Sequence, residues 1–241
     1  VSGGDGGWTA FNAANHNEFY TSLQWLAMFR LNDVTGEFTR ITPDRSGVIN
    51  FIAPFILSPV DNATLYAGGS KIYKSTNRGE RWSITNGGAD LDGNPAIAMA
   101  GSSSLSQIVY VATSPHGSRG SVFRTVDGGE SWINITGALP DRFTTDLAVD
   151  PYDHNRVIIT FGGFGGKHVF QSLDGGESWT DISQNLPDLP VWAAVIDPFN
   201  TNHIYVGTDL GVYITEDRGT TWAPFMEGLP DAVFAFELNI S

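Results

Sequence analysis

Six aspartates, Asp44, Asp90, Asp92, Asp141, Asp188 and Asp209, fall in polar links between the short apolar runs of this chain. Two carboxylates facing each other across a cleft are what glycosidic cleavage needs, one protonating the leaving oxygen and the other activating water or attacking the sugar. The same residues are also the ordinary solvated surface of a chain with 26 Asp and Glu against 13 Lys and Arg. Asp44, Asp90, Asp141 and Asp188 stand as the catalytic candidates. A second polar set behaves differently, because it recurs: YKSTNRGERW from Tyr73, FRTVDGGESW from Phe123, FQSLDGGESW from Phe170 and YITEDRGTTW from Tyr213. A catalytic constellation is normally made once, so one made four times is better explained by something each structural unit needs.

In SLDGGESW the Asp174 carboxylate and Ser172 hydroxyl suit hydrogen bonds to backbone groups of their own turn. Gly175 or Gly176 supplies a positive φ, and Trp179 carries a large apolar ring back between sheets. Asn77 replaces the aspartate in the first of the four copies; an amide keeps the acceptor but can act neither as a general acid nor as an ionised nucleophile. The expected structural residues are therefore Ser75, Asn77, Gly79 and Trp82; Thr125, Asp127, Gly129 and Trp132; Ser172, Asp174, Gly176 and Trp179; and Thr215, Asp217, Gly219 and Trp222.

The four tryptophans are 50, 47 and 43 residues apart, the spacing of a four-stranded propeller blade, and Phe38 holds the same place 44 residues before Trp82. Ahead of each motif comes a turn rich in Asn, Asp, Pro or Ser and then a short apolar strand, as in DPYDHNRVIITF and DPFNTNHIYVGT. No sustained 3.6-residue apolar period occurs. The expected fold is an all-β propeller of four-stranded antiparallel blades over residues 8–43, 49–87, 95–137, 143–185 and 191–227. Residues 233–238 read as the first strand of a further blade or a closing strand, so five blades and one strand are expected within a ring of six to eight, with a neighbouring chain as one way to complete it.

A formal charge of −13 works against nucleic acid and anionic membrane surfaces as partners. With no cysteine, disulfides, thiolate metal sites and a cysteine nucleophile are excluded. No apolar run is long enough to span a bilayer as a helix. His16, His154 and His203 sit in recurring turns, and the pair His116 and His168 has no evident third ligand, so no zinc site is expected. No cofactor is required by the sequence, although carbonyls and aspartates of the loops are suitable ligands for calcium.

The pattern Ser/Thr-x-Asp-x-Gly-x-x-Trp, matched at Ser75 to Trp82 with Asn77, at Thr125 to Trp132, at Ser172 to Trp179 and at Thr215 to Trp222, resembles the Asp box, or bacterial neuraminidase repeat. Leu186 to Trp222 is most similar to the unit of the xyloglucanase and sortilin-like group. The resemblance implies a propeller whose Asp boxes lie on the face opposite the functional site. That site would then be built from the loops between strands two and three and from the links between blades. On those loops Trp25, His116, Arg119, Phe164, Lys167 and Trp192 are the expected ligand-binding residues. Trp25 and Trp192, outside the motif, read either as core residues or as sugar platforms. Asp5 resembles a catalytic position of xyloglucan-active relatives but also fits a strand-entry turn. The three clustered arginines of sialidases are poorly matched by Arg45, Arg119 and Arg142. The expectation is a secreted or cell-surface module without catalytic activity that presents loops to a glycan or protein, the alternative being part of a glycoside hydrolase acting on a polysaccharide.

Overall fold

Asn12, Ser58, Ser102, Asp150 and Asp197 occupy equivalent places in the five repeats, and each folds the chain in the same way. The side-chain oxygen accepts the backbone N–H groups two and three residues on, as in Asp150 with Tyr152 and Asp153 (2.9 and 3.2 Å) and Ser102 with Ser104 and Leu105 (both 3.1 Å). The same pair of bonds is made by Asn12, Ser58 and Asp197. These side-chain-capped turns close the hairpin between the first two strands of every repeat.

The computed structural model describes residues 5–230 and 233–240. They form five four-stranded antiparallel sheets, each in simple sequential order, the arrangement of propeller blades. The first holds β1 (Gly6–Phe11), β2 (Glu18–Leu23), β3 (Ala27–Asn32) and β4 (Phe38–Arg40). The second holds β5 (Phe55–Leu57), β6 (Leu65–Gly68), β7 (Ile72–Ser75) and β8 (Ser83–Ile84). The third holds β9 (Ala96–Gly101), β10 (Val109–Thr113), β11 (Val122–Thr125) and β12 (Ile133–Asn134). The fourth holds β13 (Thr144–Val149), β14 (Val157–Phe161), β15 (Val169–Ser172) and β16 (Thr180–Asp181), and the fifth β17 (Val191–Ile196), β18 (Ile204–Thr208), β19 (Gly211–Thr215) and β20 (Ala223–Pro224). Residues 233–238 form no strand; there the Ala235 N–H donates to the Thr208 carbonyl at 3.0 Å.

The chain divides into two compact units, Val1–Ile133 and Asn134–Ser241. In the first, Tyr20, Leu26, Met28, Phe55 and Leu65 fill one core, and Tyr66, Ile72, Met99, Val109 and Val111 fill another. In the second unit Ile158, Val169, Val191, Ile204, Val206 and Trp222 pack together. Alternate positions of the short strands thus supply the layers between sheets.

The recurring turn binds neighbouring repeats. The Trp82, Trp179 and Trp222 indoles donate to the carbonyls of Ile41, Ile135 and Ile182 at 2.7, 2.8 and 2.7 Å, and Trp132 donates to the Thr85 hydroxyl at 3.1 Å. Each acceptor lies three residues after the preceding aromatic of the motif. The same four residues press against the motif glycines: a Cβ on Gly79, Gly129, Gly176 or Gly219 would fall 2.7, 2.7, 2.3 or 2.7 Å from Ile41, Thr85, Ile135 or Ile182. All four glycines also have positive φ. Glycine is required twice over, for the backbone and for the contact.

Within the turn, Asp174 accepts the Ser172 hydroxyl at 2.7 Å, the Ser178 N–H at 2.9 Å and the Ser178 hydroxyl at 2.5 Å. Ser172 in turn accepts the Gly176 N–H at 2.7 Å. Asp127 and Asp217 make equivalent bonds, and these bonds hold all three carboxyls down at about 2. Their folded pKa values lie below the ordinary 3.8, so their contribution to stability is present above pH 4 and lost as pH falls towards 2. Stability curves of Asp174→Asn are expected to lose part of the acid limb between pH 4 and 2 while changing little at pH 7, because Asn77 already serves this place in the second sheet. Denaturant titrations at pH 2.5, 4 and 7 measure it; an unchanged acid limb counts against this account.

Candidate functional site

In the first unit the β2–β3 connection and the link from β4 to β5 meet in a cleft of about 650 Å³, lined by Leu23, Gln24, Trp25, Ala27, Arg45, Gly47 and Ile49. Trp25 and Leu26 both adopt left-handed backbone, with φ of 59° and 58°. Leu26 turns into the core, fully buried, whereas Trp25 leaves 51% of its surface in solvent. The strained turn is held from the link: the Trp25 N–H donates to the Phe51 carbonyl at 2.8 Å, and the Arg45 guanidinium donates to the Trp25 carbonyl. The Phe51 ring meets the Trp25 ring edge-on, with centroids 5.3 Å apart. Nearby, Tyr73 fixes Ser46 by two bonds, at 2.7 Å from the Ser46 N–H and 2.8 Å to its carbonyl.

The loop at 114–121 in the same unit is tied to the link before β9. Asn94 donates to the Ser118 hydroxyl at 2.9 Å and the Arg119 carbonyl at 3.1 Å, and accepts the His116 N–H at 3.2 Å. Asp92 accepts the Thr113 hydroxyl at 2.8 Å. Asp44 and Asp90 lie on the links but do not line the Trp25 cleft; Asp44 directly precedes the lining residue Arg45 in the chain, and Asp90 Oδ1 is 3.9 Å from where a Cβ on the lining residue Gly47 would stand.

In the second unit the loop at 162–168 is clasped from both sides. Arg142 donates to the Phe164 carbonyl at 2.8 Å, and the Asp188 carboxylate accepts the Gly165 N–H at 2.8 and 2.9 Å and meets buried His168 at 2.8 Å. The His168 bond, then the Gly165 N–H, pull the Asp188 carboxyl below the usual carboxylate range. This clasp holds Phe164 out, 65% exposed. Lys167 pairs with Asp181 at 3.6 Å. Trp192 donates its indole N–H to Asp209 at 2.6 Å and packs against Phe234 and Phe236, with centroids 5.6 and 5.9 Å away. Asp141 is exposed on the link before β13, and Asp5 donates its N–H to Gln24 Oε1 at 3.0 Å. Among the described residues no three His, Cys, Asp or Glu gather as a metal site.

The loop residues named from the sequence therefore fall into separate clusters: Trp25 on one cleft, His116 and Arg119 on a second loop, and Phe164, Lys167 and Trp192 in the other unit. Two residues were missed. Phe51, the edge partner of Trp25, sits in a link without repeat counterpart. Asp146 is the other: partly buried on β13, it accepts the N–H of Ala194 on β17 at 2.9 Å and that of Leu147 at 2.8 Å. Burial raises its carboxyl to about 7, against the lowering effect of those two bonds, with Glu237 adding to the rise. Its signal was in the repeat, since Ala98 and Ala193 occupy the equivalent positions.

No protein-family model matches the chain, and no curated protein does. Among solved structures it is similar to a GH74 enzyme of Niastella koreensis, at 20% identity and a TM-score of 0.73 over 91% of this chain and 38% of that one. An ancestral GH74 enzyme matches at 17% identity and 0.74, over 96% and 32% of the two chains. The GH74 xyloglucanase of Xanthomonas campestris matches at 15% and 0.63, over 93% and 46%. The chain thus spans less than half the length of these relatives, and at such identities the likeness is one of fold. It nevertheless corrects the expectation of a module that is not an enzyme: all three are glycoside hydrolases, and the blades that suggested a non-catalytic scaffold are those on which these enzymes are built. Fold and repeat carried no information on activity, which resides in loops. No helix among the described residues is long and apolar enough to cross a membrane.

Proposed function

We propose that this chain is part of a glycoside hydrolase acting on a polysaccharide, with substrate lying in the Trp25 cleft. The observation that carries this reading is Trp25 itself: a large ring kept half in solvent, on a backbone conformation costly to any residue but glycine, and braced by Phe51 and Arg45. Strain of about 1–3 kcal/mol per residue persists where the surroundings over-determine it, as they do at binding sites. An open indole face matches the C–H face of a sugar ring. The fold likeness to GH74 enzymes supports the reaction class. The recurring turn is read as an Asp box, which gives the chain's four copies a structural task and leaves the loop face for chemistry. A polymeric substrate too large to enter a cell fits a secreted or cell-surface location.

Asp44 and Asp90, on the links bordering the cleft, are the carboxylates this reading places at the bond to be cleaved, one protonating the leaving oxygen and the other serving as base or nucleophile. The purified chain is expected to release reducing ends from at least one polymer in a panel that includes xyloglucan. Asp44→Asn and Asp90→Asn should each lower that release by roughly a hundredfold or more, and Trp25→Ala should raise KM about tenfold with a smaller effect on kcat. Release from no polymer by folded protein would remove the reading; undiminished release in both aspartate variants would move the chemistry elsewhere.

A further inference from the structure

We infer that the Trp25 cleft takes an acidic sugar, a uronate with a free carboxylate; this rests on the glycoside hydrolase reading and narrows its substrate. The polar side chains lining the cleft are Gln24 and Arg45. The Gln24 oxygen already accepts the Asp5 N–H at 3.0 Å and keeps one further lone pair, while its NH2 group offers two donors. Arg45 gives one N–H to the Trp25 carbonyl, and its exposed guanidinium has no acceptor to offer. The side-chain lining beside the indole is therefore dominated by donors, five N–H groups of a permanent cation among them, against the one spare lone pair of Gln24. The other lining side chains, such as Leu23 and Ile49, are apolar.

A neutral sugar's hydroxyls can accept from this wall, but only through neutral oxygens, and their hydrogens find few acceptors on it. A carboxylate only accepts, and it matches a guanidinium fork with shorter and stronger bonds. The position of C6 on a pyranose lets a uronate place its carboxylate at the edge of the ring while the ring face lies on Trp25. Most of the charge of −13 is damped beyond about 8 Å at physiological salt, so the carboxylates that work against a uronate here are Asp44, next to Arg45 in the chain, and Asp90, and the Arg45 guanidinium must outweigh them at contact. The sugar carboxylate is expected against Arg45 and Gln24, away from Gly47, where Asp90 Oδ1 approaches.

Titration of the intact chain with polygalacturonate, its fully methyl-esterified form and xyloglucan, followed by tryptophan fluorescence and by reducing-end release, tests this. The free acid is expected to bind about tenfold tighter than the ester, with affinity falling as salt rises. Arg45→Gln should abolish that preference and Arg45→Lys should restore part of it. Should melting curves show Arg45→Gln to be misfolded, Gln24→Leu removes the other donor without touching the Trp25 carbonyl and should narrow the preference in the same direction. Equal affinity for ester and acid, or a preference that survives these substitutions, overturns the acidic-sugar inference while release from xyloglucan would leave the glycoside hydrolase reading intact. Binding and release with none of the three polymers, and no effect of Trp25→Ala, overturns both.

Discussion

Trp222→Ala is expected to cost about 3 to 5 kcal/mol. The ring is 5% exposed and packs among Ile158, Val169, Ile182, Val191 and Ile204. Its indole N–H holds the Ile182 carbonyl at 2.7 Å, and its own backbone is held by Asn185, which accepts the Trp222 N–H and donates to the Trp222 carbonyl, both at 2.8 Å. Truncation opens a cavity between two sheets whose strands are fixed by ladders, so collapse into the space is limited, and it leaves the Ile182 carbonyl without its donor. Trp179 makes the equivalent bond to Ile135 but is only partly buried, so Trp179→Ala should cost less, about 2 to 3 kcal/mol. Urea melts of the two variants give the comparison. A Trp222→Ala loss below that of Trp179→Ala would show that burial does not rank these clamps. Polymer binding by the folded fraction should be unaltered in both, since neither ring is among the residues that line the Trp25 cleft.

The repeat was legible because its parts are local. A side-chain oxygen that caps its own turn, a glycine with positive φ and an aromatic at fixed spacing each write themselves into a few adjacent residues, and four copies raise them above chance. What the tryptophan binds was not legible: Ile41, Thr85, Ile135 and Ile182 are 40 to 47 residues from their indoles, and nothing in an Ile or Thr marks it as an acceptor. The site fared worse for the same reason. Trp25 stood out as a tryptophan outside the motif, but the left-handed turn that exposes it depends on Phe51 and Arg45 across the link, and Arg45 drew notice only as a poor match to a sialidase triad. Asp188 looked like a free loop carboxylate until His168 and two glycine N–H groups met it. The expectation of a module without activity came from the repeats, and repetition argues only about what recurs, which catalytic groups do not; the fold likeness to GH74 enzymes removed its basis.

Asp146 should make the protein less stable as pH rises from about 4 to about 7. Its folded pKa is raised to about 7 from the ordinary 3.8, so across that interval the folded chain keeps a proton that the unfolded chain has released. Stability falls with pH wherever the folded state binds more protons, and it levels off above the folded value. The full shift corresponds to about 4 kcal/mol, an upper bound because water entry and relaxation around the carboxylate reduce it. The acidic groups of the recurring turns act in the opposite direction but below pH 4, and the charge of Glu237 raises the Asp146 pKa further. A comparison with Asp146→Ala cancels the groups the two proteins share. At pH 4.5 the alanine variant is expected to be the weaker by about 1 to 3 kcal/mol, because the N–H groups of Ala194 on β17 and Leu147 on β13 each lose their own oxygen of the Asp146 carboxyl. By pH 8 the wild type bears a carboxylate withdrawn from water, and the difference should vanish or reverse. Asparagine is the wrong control, since its NH2 group would confront one of two backbone donors. Parallel stability curves for wild type and Asp146→Ala between pH 4.5 and 8 would mean that the carboxyl titrates in the folded chain as it does in the unfolded one, solvated rather than buried, and would overturn this prediction.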